Sequence, residues 1–281
     1  MKAYPVTVLC KVMKTSRSGF YDYLHRFNHN DIGNDHEDPL KARIKAIFDE
    51  SKGSYGSRRV LKKLQSEGHQ LGRYKVRRLM RDLGLRVKRR RRYKVTTDSR
   101  HLYPVAANVL DRKFDVAEAN RVWACDITYV WTQRGWLYLA AVMDLFSRQI
   151  VGWARDKHME AKLALDALAM AYWRRKPPKG LLHHSDRGSQ YACHEYQKQL
   201  QHYGLIASMC RKGDCWDNAP MERFFGSLKS ERLVSCRFET RKAAEAEILD
   251  YITYYNFARL HSTLGYQSPM QYEKEQFLKV A

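Results

Sequence analysis

Three carboxylates, Asp126, Asp186 and Glu222, stand where an acid could do chemistry. Asp126 interrupts the apolar segment RVWACDITYVW, Asp186 sits in LLHHSDRGSQYAC where an apolar run turns polar, and Glu222 follows DNAPM. Brought together, they would offer hard oxygen donors with open positions, the ligand set that suits Mg²⁺. A pair of such ions roughly 3.5 to 4 Å apart serves in-line displacement at a phosphodiester, one ion on the attacking oxygen and one on the leaving oxygen. Taken alone, the cluster around Asp186 admits three readings: a metal site that includes His183 or His184, a Ser185 nucleophile with a histidine base, or a satisfied loop.

Whether the three acids can meet depends on the elements that carry them. RVWACDITYVW, GWLYLAAVMDLF and RQIVGWA are rich in Val, Ile, Tyr and Trp, and their short junctions suit a three-stranded antiparallel meander. A helix EAKLALDALAMAYWRR follows and stops at KPPKG. Next come a strand into LLHHSD, a helix CHEYQKQLQHYG, a strand LIASMC, a loop RKGDCWDN and a helix from Ala219. Three antiparallel strands followed by alternating helix and strand is the order of an α/β, ribonuclease-H-like fold. In that fold the middle of the first strand, the end of the fourth and the start of the helix after the fifth lie side by side. Asp126, Asp186 and Glu222 occupy those places. Asn218 is expected to cap the last helix and Pro220 fits its first turn, where the exposed N–H groups favour an ionised Glu222. Cys125, adjacent to Asp126 on a strand, is expected to face the opposite side and enter the core. Asp144, before FSR, is expected to cap a turn.

The segment before the strands is helical. Residues 5–26 carry apolar positions at helical spacing broken by KTSRS, and the turn-rich stretch 28–39 reads as a linker. From Leu40 the period returns, with Ile44, Ile47 and Phe48, then Val60, Leu61 and Leu64, then Val76, Leu79 and Met80 on apolar faces. Three short helices with tight turns resemble a helix-turn-helix. The boundaries expected are a short helical module over 1–35, a basic helix-turn-helix-like region over 40–95, a linker over 96–118, the catalytic core over 119–235 and its helical extension over 236–281.

Charge points to the partner. The chain has 51 basic and 30 acidic side chains, and residues 51–100 alone hold 18 basic and 3 acidic ones. Such an excess favours a polyanion. Within it, Arg86, Lys88, Arg89, Arg90, Arg91, Arg92 and Lys94 form a run of seven basic residues in nine, suited to gripping the phosphates of double-stranded DNA. The six cysteines form no CxxC pair, which argues against a disulfide scaffold or zinc ribbon. The longest apolar run, WLYLAAVM, is too short to span a bilayer, so a cytoplasmic, nucleoid-associated protein with no membrane partner is expected.

WACDITYV, HHSDRGSQY, DNAPMERFFGSLKSE and YNFARLHSTLGYQSP together resemble the integrase core of bacterial insertion-sequence transposases of family three, OrfB type. Asp186 and Glu222 are separated by 35 residues, as in that family's D, D, 35, E pattern, and YGSRRVLKKL with GRYKVRRLMRDLGL is similar to the helical segment before the core. The resemblance implies a retroviral-integrase-like core that cleaves and transfers DNA strands, with Asp126, Asp186 and Glu222 holding two Mg²⁺ ions, Mn²⁺ being able to substitute. It also implies homo-oligomers on DNA and an OrfA-type upstream product, as a separate partner or a frameshift fusion. Lys229, seven residues after Glu222 and about two helical turns on, would share its face and touch DNA. On this reading Asp186 is the ligand, His183 and His184 pack around it, and water or a DNA 3′-hydroxyl rather than Ser185 attacks. Retroviral integrases add an N-terminal His and Cys zinc domain. His25 and His29 have ligand-like spacing but no CxxC follows, so no structural zinc is expected. Two other readings share these features: a basic DNA-binding regulator with inert acids, and a nuclease acting on RNA in hybrids.

Overall fold

Apolar residues at helical spacing make residues 5–87 a set of helices, α1 (Val6–Val12), α2 (Arg17–His29), α3 (Asn34–Glu50), α4 (Ser57–Ser66) and α5 (Arg73–Asp82). The computed structural model describes residues 5–29, 34–87, 103–234 and 236–280, and its contacts divide the chain into two units, 1–87 and 88–281. In the first unit Ile44 and Ile47 of α3, Val60 and Leu64 of α4, and Val76, Leu79 and Met80 of α5 are buried together, as their spacing predicts, while Phe48 and Leu61 are half-buried. The arginine of α3, Arg43, grips both carboxylate oxygens of Glu67 just beyond α4, at 2.8 and 2.5 Å, and reaches Glu50 at 2.8 Å. Helix α3 begins at Asn34, inside the stretch that reads as a linker, and contains Pro39. Turn-forming residues there do not stop the helix.

The second unit is built on a sheet. β1 (Val122–Thr132) pairs antiparallel with β2 (Gly135–Asp144), which pairs antiparallel with β3 (Ile150–Asp156). After α6 (Ala161–Arg175), β4 (Leu182–Ser185) returns to lie parallel to β1; the one-turn α7 (Ser189–Ala192) and α8 (His194–His202) lead to β5 (Ile206–Met209), parallel to β4. The spatial order is β3-β2-β1-β4-β5. A 3₁₀ turn over Cys215–Asn218, expected only as loop, delivers the chain into α9 (Ala219–Leu228), and α10 (Arg241–Phe257) and α11 (Pro269–Val280) complete the unit.

Strand alternation sends each side chain to one of two cores. Ala124, Leu137, Leu139 and Ala141 pack with Phe224, Leu228 and Tyr251 from α9 and α10. Trp123, Cys125, Ala140 and Val142 pack on the other face with Leu168, Tyr196 and Leu200 from α6 and α8. Small residues set the closeness of α6 to the sheet, because a Cβ on Gly152 of β3 would stand 2.4 Å from the carbonyl oxygen of Ala167. Within 103–118 the chain also adheres to the sheet: Leu110 is buried, and Val109 and Leu110 donate their N–H groups to Ser208 Oγ of β5 at 3.0 and 3.3 Å.

Candidate active site

β4 is short, and that shortness opens the site. Val122, Trp123 and Ala124 pair with Leu182, His183 and His184, so the same register carried two residues on sets Asp126 level with Asp186, the first residue past β4. Asp126 falls on the alternation of Ala124, the face covered by α9, and Glu222 sits in the first turn of that helix. All three carboxyl side chains are half-buried. Asp126 accepts a hydrogen bond from the N–H of Ile127 at 2.8 Å, and Asp186 one from the N–H of Gly188 at 2.9 Å.

Burial pushes the Asp126 carboxyl well above the usual carboxylate range, and the negative charges of Asp186 and then Glu222 push it further; the Ile127 N–H and the Lys229 ammonium oppose them. Asp126 therefore lies within the field of both other acids, and Asp126 and Asp186 line one cleft. Among the described residues, no three Asp, Glu, His or Cys side chains are gathered tightly enough to hold one ion. As a donor set, three neighbouring carboxylates suit a hard divalent cation.

Lys229 lies just past the end of α9, where the backbone widens into a π turn over Lys229–Leu233. Its ammonium is 5.1 Å from the ring centre of Tyr129. Burial lowers its pKa while Asp126 works to raise it.

Two buried histidines brace the site. Ser208 Oγ already accepts two backbone N–H groups, so its proton goes to His184 Nδ1 at 2.9 Å, and His184 Nε2–H donates to the carbonyl of Asp217 at 3.0 Å. Burial drops the His184 pKa to about 4 and keeps the ring neutral. His183 faces the opposite core, where its Nε2 lies 2.9 Å from both Cys125 Sγ and Tyr196 Oη, and burial drops its pKa to about 3. Neither is a ligand to the cleft in this arrangement, and Cys125 is core as expected. Ser185 donates its hydroxyl proton to the Asp186 carbonyl at 3.0 Å.

Asn218 does not cap α9. Its Nδ2 donates instead to the carbonyl of Cys125 at 2.9 Å, fastening the helix that carries Glu222 to the strand that carries Asp126. The neighbouring Asp217, fully buried, accepts from Asn108 at 2.8 Å, Arg112 at 2.7 Å and three nitrogens of Arg211 at 2.8 to 3.0 Å; the Arg211 guanidinium, first among its partners, holds its carboxyl well below the usual range. Arg112 also pairs with Asp214. Asp144 caps its turn through the N–H groups of Phe146 and Asn120, away from the acids, with its pKa pushed up by burial to about 6.

Sequence reasoning overlooks Gly188, whose signal is its place two residues after Asp186. A Cβ there would stand 3.0 Å from Asp186 Oδ1 and 2.9 Å from Gln190 Oε1, so any larger residue would press on that carboxylate. The aromatic wall of the cleft, Tyr129, Trp136 and Tyr138, escapes it too, because alternating aromatics in a strand read as core. Of the basic run, Arg86 is exposed on the first unit, whereas Lys88, Arg89, Arg90, Arg91, Arg92 and Lys94 lie outside the described residues. Among the described residues no helix is long and apolar enough to cross a membrane.

A five-stranded sheet in this order, with helices on both faces, is the ribonuclease-H-like core of the integrase class of enzymes. The integrase core domain family matches residues 116–215 and again 222–277, and the HTH-like domain family matches residues 35–93. Transposase InsF of insertion sequence IS3A from Escherichia coli K12 is 38% identical over 97% of this chain and 95% of its own length. A 31 kDa protein of insertion element IS600 from Shigella sonnei is 42% identical over 95% and 98%. The chain belongs to the IS3-family insertion-sequence transposases. Among solved structures, the HTLV-2 integrase catalytic core in complex with magnesium is similar, with 18% identity, a TM-score of 0.44, and coverage of 55% of this chain and 97% of that one.

Proposed function

We propose that the chain cleaves and joins DNA strands to move an insertion sequence, with Asp126, Asp186 and Glu222 holding two Mg²⁺ ions that Mn²⁺ can replace. What supports this reading is the register that sets Asp126 level with Asp186 in one cleft, with Glu222 in the first turn of the helix covering that face; the charges of both raise the Asp126 carboxyl, a strain that divalent cations relieve. When bound, the ions supply positive charge to the attacking and leaving oxygens of a phosphodiester.

The chain's own residues position. Gly188 N–H aims Asp186, Ile127 N–H aims Asp126, and Asn218 with His184 holds the start of α9 against β1 and β4. With the Ser185 hydroxyl engaged on a backbone carbonyl, the nucleophile is water in the first step, which frees a 3′-hydroxyl, and that hydroxyl in the second, which attacks a target phosphodiester and expels the target's own 3′-oxygen. Lys229 beside Asp126 contacts the DNA backbone near the chemistry. Arg86, Lys88, Arg89, Arg90, Arg91, Arg92 and Lys94, within the helical region 40–95, grip flanking duplex, and the core 119–235 with its extension 236–281 carries out the reaction. Joining two ends at once calls for at least two copies on DNA. An OrfA-type product, separate or fused by a frameshift, supplies end recognition in the cytoplasm at the nucleoid.

The test is cleavage and strand transfer on duplexes carrying the element's ends, with Mg²⁺. Wild type is expected to nick and join, and Asp126→Asn, Asp186→Asn and Glu222→Gln to do neither while still binding DNA. Mg²⁺-dependent cleavage retained by one of these variants would remove that residue from the site, and cleavage confined to RNA in a hybrid would replace transposition with a nuclease reading.

A further inference from the structure

The cleft beside Asp126 and Asp186 widens into a chamber of about 420 Å³ whose wall over β1 and β2 is aromatic rather than cationic. Tyr129 and Tyr138 face each other across the ladder, and the Trp136 ring stands edge-on to Tyr129 at 5.0 Å. Met159 also lines the chamber. Trp136 leaves 41% of its surface open and Met159 45%, although both are large and apolar.

This wall is held in place. Arg241 Nε donates to the Trp136 carbonyl at 2.9 Å, and Gln133 N–H donates to the Phe238 carbonyl at 2.9 Å, so the β1–β2 hairpin is tied to the segment before α10. A phosphate has no use for such a surface. A nucleobase does: it has two apolar π faces for aromatic side chains and a polar edge for groups such as Ser189 and Gln190, which also line the chamber. Gln190 is itself steadied by donating to the Met159 carbonyl at 3.0 Å, which leaves its own carbonyl oxygen as an acceptor.

We propose that the chamber receives one unpaired nucleobase of the strand whose phosphate lies beside the acids. The inference rests on the reading that Asp126 and Asp186 hold the cations that would meet the scissile phosphate, since the chamber then lies within reach of the adjoining nucleotide. A paired base brings the opposite strand with it, for which a half-enclosed chamber has no room, so the base enters only after leaving its partner. Stacking on the aromatic wall offsets the cost of unstacking from the duplex and sets the scissile phosphate near the place where the carboxylates would hold their cations. Because every base has a π face, the chamber is tolerant of sequence and reads the unpaired state.

The experiment compares two duplexes of equal length, each with 2-aminopurine in a terminal pair, one fully matched and one with that pair and its neighbour mismatched. Binding by the full chain is measured in EDTA at one salt concentration. The expected result is about tenfold tighter binding of the mismatched end, with quenching of its 2-aminopurine. A Trp136→Ala, Tyr138→Ala double variant is expected to lose the preference and the quenching yet keep its affinity for the matched duplex, and Trp136→Phe to retain both. Met159→Trp, which adds bulk to the chamber from a half-exposed position outside the β1–β2 hairpin, is expected to lose the preference as well and covers the case in which the double variant fails to fold. Equal weakening on both duplexes, or a preference intact in Met159→Trp, overturns the proposal. Because the preference is read in EDTA and cleavage in Mg²⁺, failure of the base site and failure of the metal site give different results.

Discussion

Asn218 holds the carbonyl of Cys125 at 2.9 Å, and in doing so joins the residue before Asp126 to the residue before the helix that carries Glu222. Asn218 is buried, and its other polar side-chain atom, Oδ1, has no hydrogen-bond partner among the described residues. Asn218→Ala therefore removes one useful bond and one orphaned acceptor together, and the net loss of stability is expected to be only about 1 kcal/mol by urea unfolding. Cleavage is expected to fall roughly tenfold or more, since small misplacements of reacting groups weigh heavily on rate, with DNA affinity unchanged. Asn218→Asp turns two carboxylate oxygens on the Cys125 carbonyl and is expected to be the more damaging variant on both measures. Full activity in Asn218→Ala would mean that α9 finds its place without the tie.

The acids repel one another in the absence of a cation, so their contribution to stability should change sign with metal. In EDTA, Asp186→Asn is expected to melt no lower than wild type, because it removes a charge that pushes the Asp126 carboxyl upward. With Mg²⁺ in large excess over its dissociation constant, wild type is expected to gain several degrees, since saturation to about 100-fold is worth about 2.7 kcal/mol. Asp126→Asn, Asp186→Asn and Glu222→Gln are each expected to lose most of that gain. Thermal melts across a Mg²⁺ titration decide it; a variant that loses many degrees in EDTA would show its carboxylate supporting the fold instead.

His183 and His184 make the core sensitive to acid. Their folded pKa values, about 3 and about 4, lie below the ordinary histidine value near 6.5, so the unfolded chain takes up protons first as pH falls. The stability these neutral rings provide is complete above about pH 6.5 and drains away as pH falls to about 4 for His184 and about 3 for His183, at up to about 1.4 kcal/mol per pH unit for each ring. His184→Gln keeps a donor for the Asp217 carbonyl but does not titrate. Urea midpoints measured from pH 7.5 to 4.5 are expected to fall less steeply for this variant than for wild type, and equal slopes would mean that His184 is protonated in the folded state.

Why the sheet could be read from sequence while the braces could not has a local cause. β1, β2 and β3 declare themselves through β-branched and aromatic residues bounded by short polar junctions, and the order of the later elements then places Asp126, Asp186 and Glu222 in positions that adjoin only in one fold. Polar braces have no such period. Asn218 before a helix reads as a cap because its side chain is near its own backbone in sequence, but the Cys125 carbonyl, 93 residues away, proves the better acceptor. Asp217 looks like one more surface acid in RKGDCWDN until Asn108, Arg112 and Arg211 are seen to converge on it. Gly188 reads as a turn former, and only the position of Asp186 Oδ1, 3.0 Å from where a Cβ would stand, shows that a larger residue would crowd the carboxylate.

The basic run from Arg86 to Lys94 and the question of end recognition can be tested together. If the run grips phosphates, changing Arg89, Arg90, Arg91 and Arg92 to glutamine should flatten the dependence of log affinity on log salt by about 0.9 for each phosphate that is no longer neutralised, because fewer counterions are released. The weakening should be similar on unrelated sequences, since a side chain on a phosphate positions a protein without reading bases. The sequence shows no heptad repeat long enough for a coiled coil, and its positive charge is concentrated in residues 51–100, a pattern that favours general over sequence-specific affinity. Wild-type chain alone is therefore expected to prefer the element's terminal repeat over a scrambled duplex by well under a hundredfold at physiological salt, with addition of the OrfA-type product raising that ratio. A preference of a hundredfold or more by the chain alone, about 2.7 kcal/mol, would place end recognition within these 281 residues and make the partner an accessory. An unchanged salt slope in the glutamine variant would move the phosphate grip elsewhere, to the exposed basic side chains of α4 and α5 such as Arg58, Arg77 and Arg81.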